Sequence, residues 1–260
     1  MPFLRRPDGC RIRYELTGDA GAPILILEGV ADRIAGWRRS VPTLARELSV
    51  AIVDHRGNGD SDEPPGPCTM TTFVDDAIGV LDEIGWDRTH VYGQSFGGMV
   101  AQELALAHPD RVRRLVLGCT TAGEVHTIPV PEAAEAKVPK GEPWRSWYGS
   151  GYPDLHPEEV AEDLRVASAP PEHPEGARRQ WEAMVSWDAY DRLPAISAPT
   201  LVLHGTEDRM IAPANAEVLA GRIPGAELVL LEGAGHVYHW EQPERADREV
   251  LSFLRRHGDV

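Results

Sequence analysis

The segment VYGQSFGGMVAQ, residues 91–102, constrains the fold more than any other. A β-rich run ends near Tyr92, the turn Gly93-Gln94-Ser95-Phe96-Gly97 follows, and a helical pattern begins at once. A strand–turn–helix step of the form G-x-S-x-G exposes its serine on a strained turn. Small residues are needed at 93 and 97 because strand and helix backbones approach each other there. Ser95 then lies at a helix N-terminus, where free N–H groups and the helix dipole favour developing negative charge. The plainer alternative, a turn serine that only caps the helix, is disfavoured by the correct flanks on both sides.

The surrounding chain has the rhythm that such a step requires. IRYEL (12–16), ILIL (24–27), VAIV (50–53), THVY (89–92) and RLVL (114–117) read as strands. Residues 70–85 and 97–109 read as helices, the second stopped by Pro109. Strands separated by helices need crossover connections and therefore form a largely parallel sheet. From about 119 to 198 the alternation stops, prolines multiply, and short helical patterns appear at 157–167 and 175–187. Trp144, Trp147, Tyr148, Tyr152, Trp181, Trp187 and Tyr190 are concentrated there. The earlier rhythm then returns with a strand at 200–205, a helix near 213–222, a strand at 227–233 and a helix over 243–256. An α/β core (1–118 and 199–260) interrupted by a helical insert (119–198) explains this order better than two sequential domains.

Composition narrows the partners. The formal charge of −15 argues against nucleic acid, whose phosphates are held by clustered Lys and Arg. The first ten residues, MPFLRRPDGC, lack the apolar stretch of a signal peptide, and no run of 18 apolar residues predicts a membrane span. The three cysteines, Cys10, Cys68 and Cys119, have no metal-ligand spacing and read as reduced thiols of a cytoplasmic protein.

A nucleophilic serine needs a base and a group that orients the base. TLVLHGTEDRMIAP puts Asp208 just past one strand, and LLEGAGHVYHWEQPE puts His236 just past the next. Both fall at carboxyl ends of parallel strands, where sites of open α/β sheets assemble. With these residues in view, the sequence resembles the α/β-hydrolases over nearly its whole length outside the insert. The family's G-x-S-x-G matches at 93–97, its H-G-x-x-D at 204–208, its G-H-x-x-x-x-E-x-P at 235–243 and its D-x-R-G-x-G-x-S at 54–61. The resemblance implies a mostly parallel eight-stranded sheet flanked by helices, with a helical cap inserted after strand 6. It also implies a Ser95–His236–Asp208 triad and an oxyanion hole from the backbone N–H groups of Val30 and Phe96.

Rival residues are weighed against that pattern. Glu207 adjoins Asp208, but the family spacing favours Asp208. His204 reads as structural, and Asp54 and Arg56 as braces of the loop after the fourth strand. The clearest departure is Glu28, which stands where relatives often carry His before Gly29. The oxyanion donors are backbone amides and do not depend on it, but a partly buried carboxylate there needs a hydrogen-bond partner or a raised pKa. Candidate substrate contacts are Trp37, Gln94, Trp144, Trp147, Trp181, Trp187 and His239, the insert aromatics lining a mostly apolar pocket or simply packing the insert on the core. No metal or organic cofactor is required. The expected substrate is a small-to-medium carboxylic ester or lactone, cleaved through an acyl-enzyme. The alternatives are C–C bond hydrolysis or perhydrolysis with the same triad, the former with a substrate carboxylate held by Arg145, Arg165, Arg178 or Arg179, and, from another class, a non-catalytic small-molecule receptor.

Overall fold

The computed structural model describes residues 2–256 except 20, 64, 65, 137 and 172; residues 257–260 of the expected core segment lie outside the described residues. The strands are β1 (Phe3–Arg5), β2 (Arg11–Thr17), β3 (Pro23–Leu27), β4 (Ser49–Val53), β5 (Thr89–Gln94), β6 (Val112–Gly118), β7 (Thr200–Gly205) and β8 (Glu227–Leu231). They form one sheet in the order β1-β2-β4-β3-β5-β6-β7-β8. β2 runs antiparallel to both β1 and β4, and every pair from β4 to β8 is parallel. In β3 the run from Ile24 to Leu27 is wholly buried, as a strand covered by helices on both faces must be.

The helices are α1 (Val41–Leu44), α2 (Met70–Glu83), α3 (Phe96–Ala107), α4 (Glu132–Glu135), α5 (Tyr152–Leu155), α6 (Pro157–Ala167), α7 (Pro174–Val185), α8 (Ala214–Arg222), α9 (Tyr238–Glu241) and α10 (Pro243–Arg256). One core face packs α2, α3 and α8 on the sheet around Phe73, Phe96, Leu104 and Leu219. The other packs α10 and α1 around Trp37, Tyr92, Tyr238 and Phe253. No helix among the described residues is long and apolar enough to cross a membrane.

Register aligns the strand ends. Leu27 lies beside Gly93, Gly93 beside Leu117, Gly118 beside Leu203, and Gly205 beside Leu231. The loops leaving β3, β5, β7 and β8 therefore emerge side by side at one edge, carrying Val30, Ser95, Asp208 and His236. Between β6 and β7, α4 to α7 and three short 3-10 turns occupy the position of the insert. That segment contacts the same edge: Gly176 in α7 abuts Gly57 after β4, and the Trp147 carbonyl accepts from Val237 N after β8.

Candidate active site

Ser95 sits between β5 and α3 with φ +54°, in the left-handed region that a residue with a Cβ enters at a cost of about 1–3 kcal/mol. The turn is pinned from two sides, since Ser95 N donates to Gly118 O (2.8 Å) and Thr120 Oγ1 donates to Ser95 O (2.8 Å). A Cβ on Gly93 would lie 2.2 Å from Gly97 O, and one on Gly97 would lie 2.0 Å from Leu27 O. The two glycines are what allow α3 to start against β3 and β5.

His236 Nδ1 lies 2.8 Å from Asp208 Oδ2. The same oxygen lies 3.1 Å from His204 Nε2, while Asp208 Oδ1 accepts from Met210 N (2.8 Å) and Ile211 N (2.9 Å). Burial raises the Asp208 carboxyl, but the neighbouring His236 and the hydrogen bonds from His204 and His236 outweigh it and hold the group far below the ordinary carboxylate range. His204 Nε2 also lies 3.0 Å from Ile211 O; with acceptors as both neighbours, that nitrogen carries the proton. His204, read from sequence as structural, thus bears directly on the acid. Glu207 turns away, its carboxylate accepting from Ser150 N (2.6 Å).

Val30 follows β3, and Gly29 stands against the nucleophile: a Cβ there would lie 3.5 Å from Ser95 Cβ. The Phe96 N–H heads α3 and has no acceptor within that helix; the Val30 N–H makes no hydrogen bond among the described residues. Glu28 is fully buried, not partly as expected, and Asn58 Nδ2 donates to its Oε1 (3.3 Å) and to Gly29 O (3.1 Å). Burial, reinforced by Asp54 and Asp32, pushes the Glu28 carboxyl well above its ordinary value. Asn58 belongs to the 54–61 motif, whose Asp54 accepts from Ile34 N (2.8 Å) and whose Arg56 pairs with Asp76 (2.6 Å). These are the bracing roles expected of Asp54 and Arg56. Asp32, two residues past Val30, has its carboxyl raised to about 7 by burial, with the nearby His236 among the influences drawing it down. Neither Asn58 nor Asp32 stood out in the sequence.

The expected substrate contacts fall into separate groups. Gln94 Nε2 donates to His236 O (3.2 Å), so this residue ties the nucleophile's strand to the histidine loop. Trp37 and His239 stack on each other at 4.6 Å, both buried in the core face beneath α10, and burial holds His239 neutral, down to about 3. Trp144 and Trp147 pack with Tyr148, Val160 and Trp240 in a cluster joining the insert to the histidine loop. Trp187 is buried against α3, its Nε1 donating to Glu103 Oε2 (2.7 Å). Trp181 is 55% exposed and faces outwards, because its neighbour Gln180 takes the buried face of α7. Of the two alternatives for the insert aromatics, Trp187 packs the insert on the core, while Trp144 and Trp147 are half-buried. Two clefts of about 460 and 190 Å³ stand out among the described residues, and neither is lined by an insert tryptophan or by Ser95, Asp208 or His236.

Cys119, His204 and Asp208 offer ligand atoms within 4.8 Å of one another. The hydrogen bonds just described engage His204 and Asp208, and burial raises the Cys119 thiol well above its ordinary value. All three cysteines are free and buried.

Comparison with known proteins agrees with this fold. A family model described as alpha/beta hydrolase fold matches residues 22–165 and 159–243. The chain is 30% identical to an Azorhizobium caulinodans protein that carries the name carbamate hydrolase RutD, over 97% of this chain and 98% of that one. It is 32% identical to the 2-hydroxy-6-oxononadienedioate/2-hydroxy-6-oxononatrienedioate hydrolase of Burkholderia vietnamiensis, over 95% and 91% of the two chains. The crystal structure of the enol-lactonase from Burkholderia xenovorans LB400 superposes with a TM-score of 0.85 at 27% identity, covering 97% of this chain and 99% of that one. Family model, sheet order and strand-end loops converge, and the chain belongs to the alpha/beta hydrolase fold family.

Proposed function

We propose that this chain is a serine hydrolase that cleaves a small-to-medium carboxylic ester or lactone through an acyl-enzyme. The observation that carries the reading is a strained Ser95 at the head of α3, at the same sheet edge as a His236–Asp208 pair joined at 2.8 Å. In this reading His236 Nε2 takes the Ser95 proton as Oγ attacks the carbonyl carbon. Asp208 keeps the proton on Nδ1 and stabilises the imidazolium. The Val30 and Phe96 N–H groups receive the oxyanion; each such donor is worth about 10² to 10³ in turnover. His236 then protonates the leaving oxygen, and water, deprotonated by the same histidine, releases the acid. Burial raises the Glu28 carboxyl well above its ordinary value, which favours the neutral form and so disfavours a charge beside the oxyanion.

The relatives cover several bond types, and a carbamate is opened by the same carbonyl attack. C–C cleavage of a dicarboxylate asks for a cationic anchor. Arg145, Arg165 and Arg178 are engaged by Glu142, Glu162 and Glu175, whereas Arg179 keeps a buried Nη1 without a hydrogen-bond partner among the described residues, so C–C cleavage stands as the second reading. The test is initial-rate hydrolysis of p-nitrophenyl acyl esters of increasing chain length by wild type and folded Ser95→Ala. A burst and turnover that fall by roughly 10⁴ or more in the variant support the acyl-enzyme. Equal rates in both proteins refute ester hydrolysis by Ser95. Saturable binding without turnover then favours the receptor reading.

A further inference from the structure

One stretch of the insert, residues 145–150, touches the acid loop and the histidine loop together. Arg209, next to Asp208, donates from Nη2 to Arg145 O (2.8 Å) and Tyr148 O (2.7 Å). Glu207, on the other side of Asp208, accepts from Ser150 N (2.6 Å) and Ser150 Oγ (2.5 Å). The residues flanking His236 are held as closely. Val237 N donates to Trp147 O (3.0 Å), and Gly235 N donates to Glu241 Oε1 (2.8 Å). The second oxygen of Glu241 accepts from Gly149 N (2.8 Å), so one carboxylate bridges the insert and the histidine loop. The two loops are also joined directly, Glu207 N donating to Ala234 O (2.8 Å).

The contact is backbone on backbone. A Cβ on Gly235 would lie 2.3 Å from Tyr148 C, and one on Gly149 would lie 1.9 Å from Gly233 O. Tyr148 is fully buried in the middle of the stretch and donates to Asp163 Oδ2 (3.3 Å), a carboxylate also held by Arg38 and Arg39. The stretch is thus anchored at both ends and at its centre.

We infer that residues 145–150 form a fixed strap that sets the His236–Asp208 geometry, with Glu241, Glu207 and Arg209 as positioning residues. The catalytic part of this inference rests on the serine hydrolase reading. The strap is a splint for the acid–base pair. Glu207 and Arg209 beside Asp208 and Val237 beside His236 are bonded to the strap, and Gly235 is tied to it through Glu241, so displacement of the strap moves Asp208 and His236 relative to each other. Misplacement of reacting groups by about 1 Å costs on the order of 10² in rate.

The test uses the full chain with Glu241→Ala, the milder Glu241→Gln, and Glu207→Gln, whose site is more exposed. Two readouts are taken: steady-state hydrolysis of p-nitrophenyl butyrate, and amide hydrogen exchange by mass spectrometry without substrate. The inference expects Glu241→Ala to lower kcat about ten- to hundredfold with KM changed less than about threefold. It expects faster exchange in 145–150 and 233–238 together, with the Gln variants intermediate in both readouts. Faster exchange confined to one segment refutes the strap, and so does a kcat that stays at the wild-type value while both segments loosen. If Glu241→Ala does not fold, the two Gln variants carry the same comparison. A wild type without Ser95-dependent turnover overturns the hydrolase reading alone, and the paired exchange still decides whether the strap couples the two loops.

Discussion

Replacing Asp208 by Asn isolates what the acid does, because the structure fixes which way the new amide turns. Asp208 receives four donors: Met210 N and Ile211 N on Oδ1, and His236 Nδ1 and His204 Nε2 around Oδ2. An asparagine has one oxygen and one NH2. Two backbone N–H groups at 2.8 and 2.9 Å cannot rotate away, so the oxygen stays at the Oδ1 position and the NH2 faces both histidines. Facing a donor, the His236 ring must present a bare Nδ1 and carry its proton on Nε2, where it no longer accepts the Ser95 proton. An inverted tautomer of this kind costs about 10⁴ in kcat in the serine protease for which it is known. That is about 5 kcal/mol of transition-state stabilisation at 1.36 kcal/mol per factor of ten. We expect Asp208→Asn to fold, to bind a p-nitrophenyl ester with KM changed severalfold at most, and to lose roughly 10³ to 10⁴ in kcat at pH 7. The assay pairs these rates with ¹⁵N chemical shifts of the His236 ring, which report the protonated nitrogen directly. A variant that keeps a tenth of wild-type turnover, or one whose His236 stays protonated at Nδ1, refutes the reasoning.

Two further outcomes follow from burial. The Glu28 carboxyl is pushed well above its ordinary 4.5, so the folded state binds more protons than the unfolded state above that pH, and stability contributed by the neutral form is lost as pH rises towards the folded pKa. Calorimetric Tm of wild type should therefore fall relative to Glu28→Gln as pH is raised from about 4.5; parallel Tm curves for the two proteins would show that Glu28 titrates normally. Among the insert aromatics, Trp187→Phe removes a buried hydrogen bond to Glu103 and part of the packing on α3, and should cost about 1–3 kcal/mol by denaturant unfolding. Trp181→Ala, at an exposed site, should stay within about 0.5 kcal/mol and leave ester turnover unchanged; a large loss of turnover there would return Trp181 to the substrate contacts.

What the sequence made legible was local. The strand at 200–205 and the helices at 157–167 and 243–256 begin and end where their prolines, glycines and apolar periods indicated. Ser95, Asp208 and His236 were readable because each sits within a few residues of a strand end, and parallel strands bring such positions to one edge. β1 was missed because three residues, Phe3–Arg5, are too few to show alternation, and only pairing with β2 makes them a strand. The aromatic residues of the insert could not be sorted into exposed and buried for a related reason. Trp181 and Trp187 are alike in composition and in the helical pattern around them, and only the packing of α7 on the core turns one outwards and buries the other.

The partner of Glu28 shows the same limit from the side of function. Asn58 lies 30 residues away and looked like one more polar residue of a glycine-rich loop. In the fold it donates to Glu28 and Gly29, and its Oδ1 accepts from Gln180 Nε2 (2.8 Å) on α7. Gln180 in turn accepts from Ala31 N (3.1 Å), immediately after Val30. The loop expected to hold the oxyanion is thus braced by the core through Asn58 and by the insert through Gln180. The histidine and acid loops are braced in the same double manner through Glu241 and residues 145–150. In the serine hydrolase reading the chemistry lies at strand ends of the core, and residues between β6 and β7 are hydrogen-bonded to those loops at two separate places. On the strap inference, a change in the insert is expected to alter rate without touching the reacting groups.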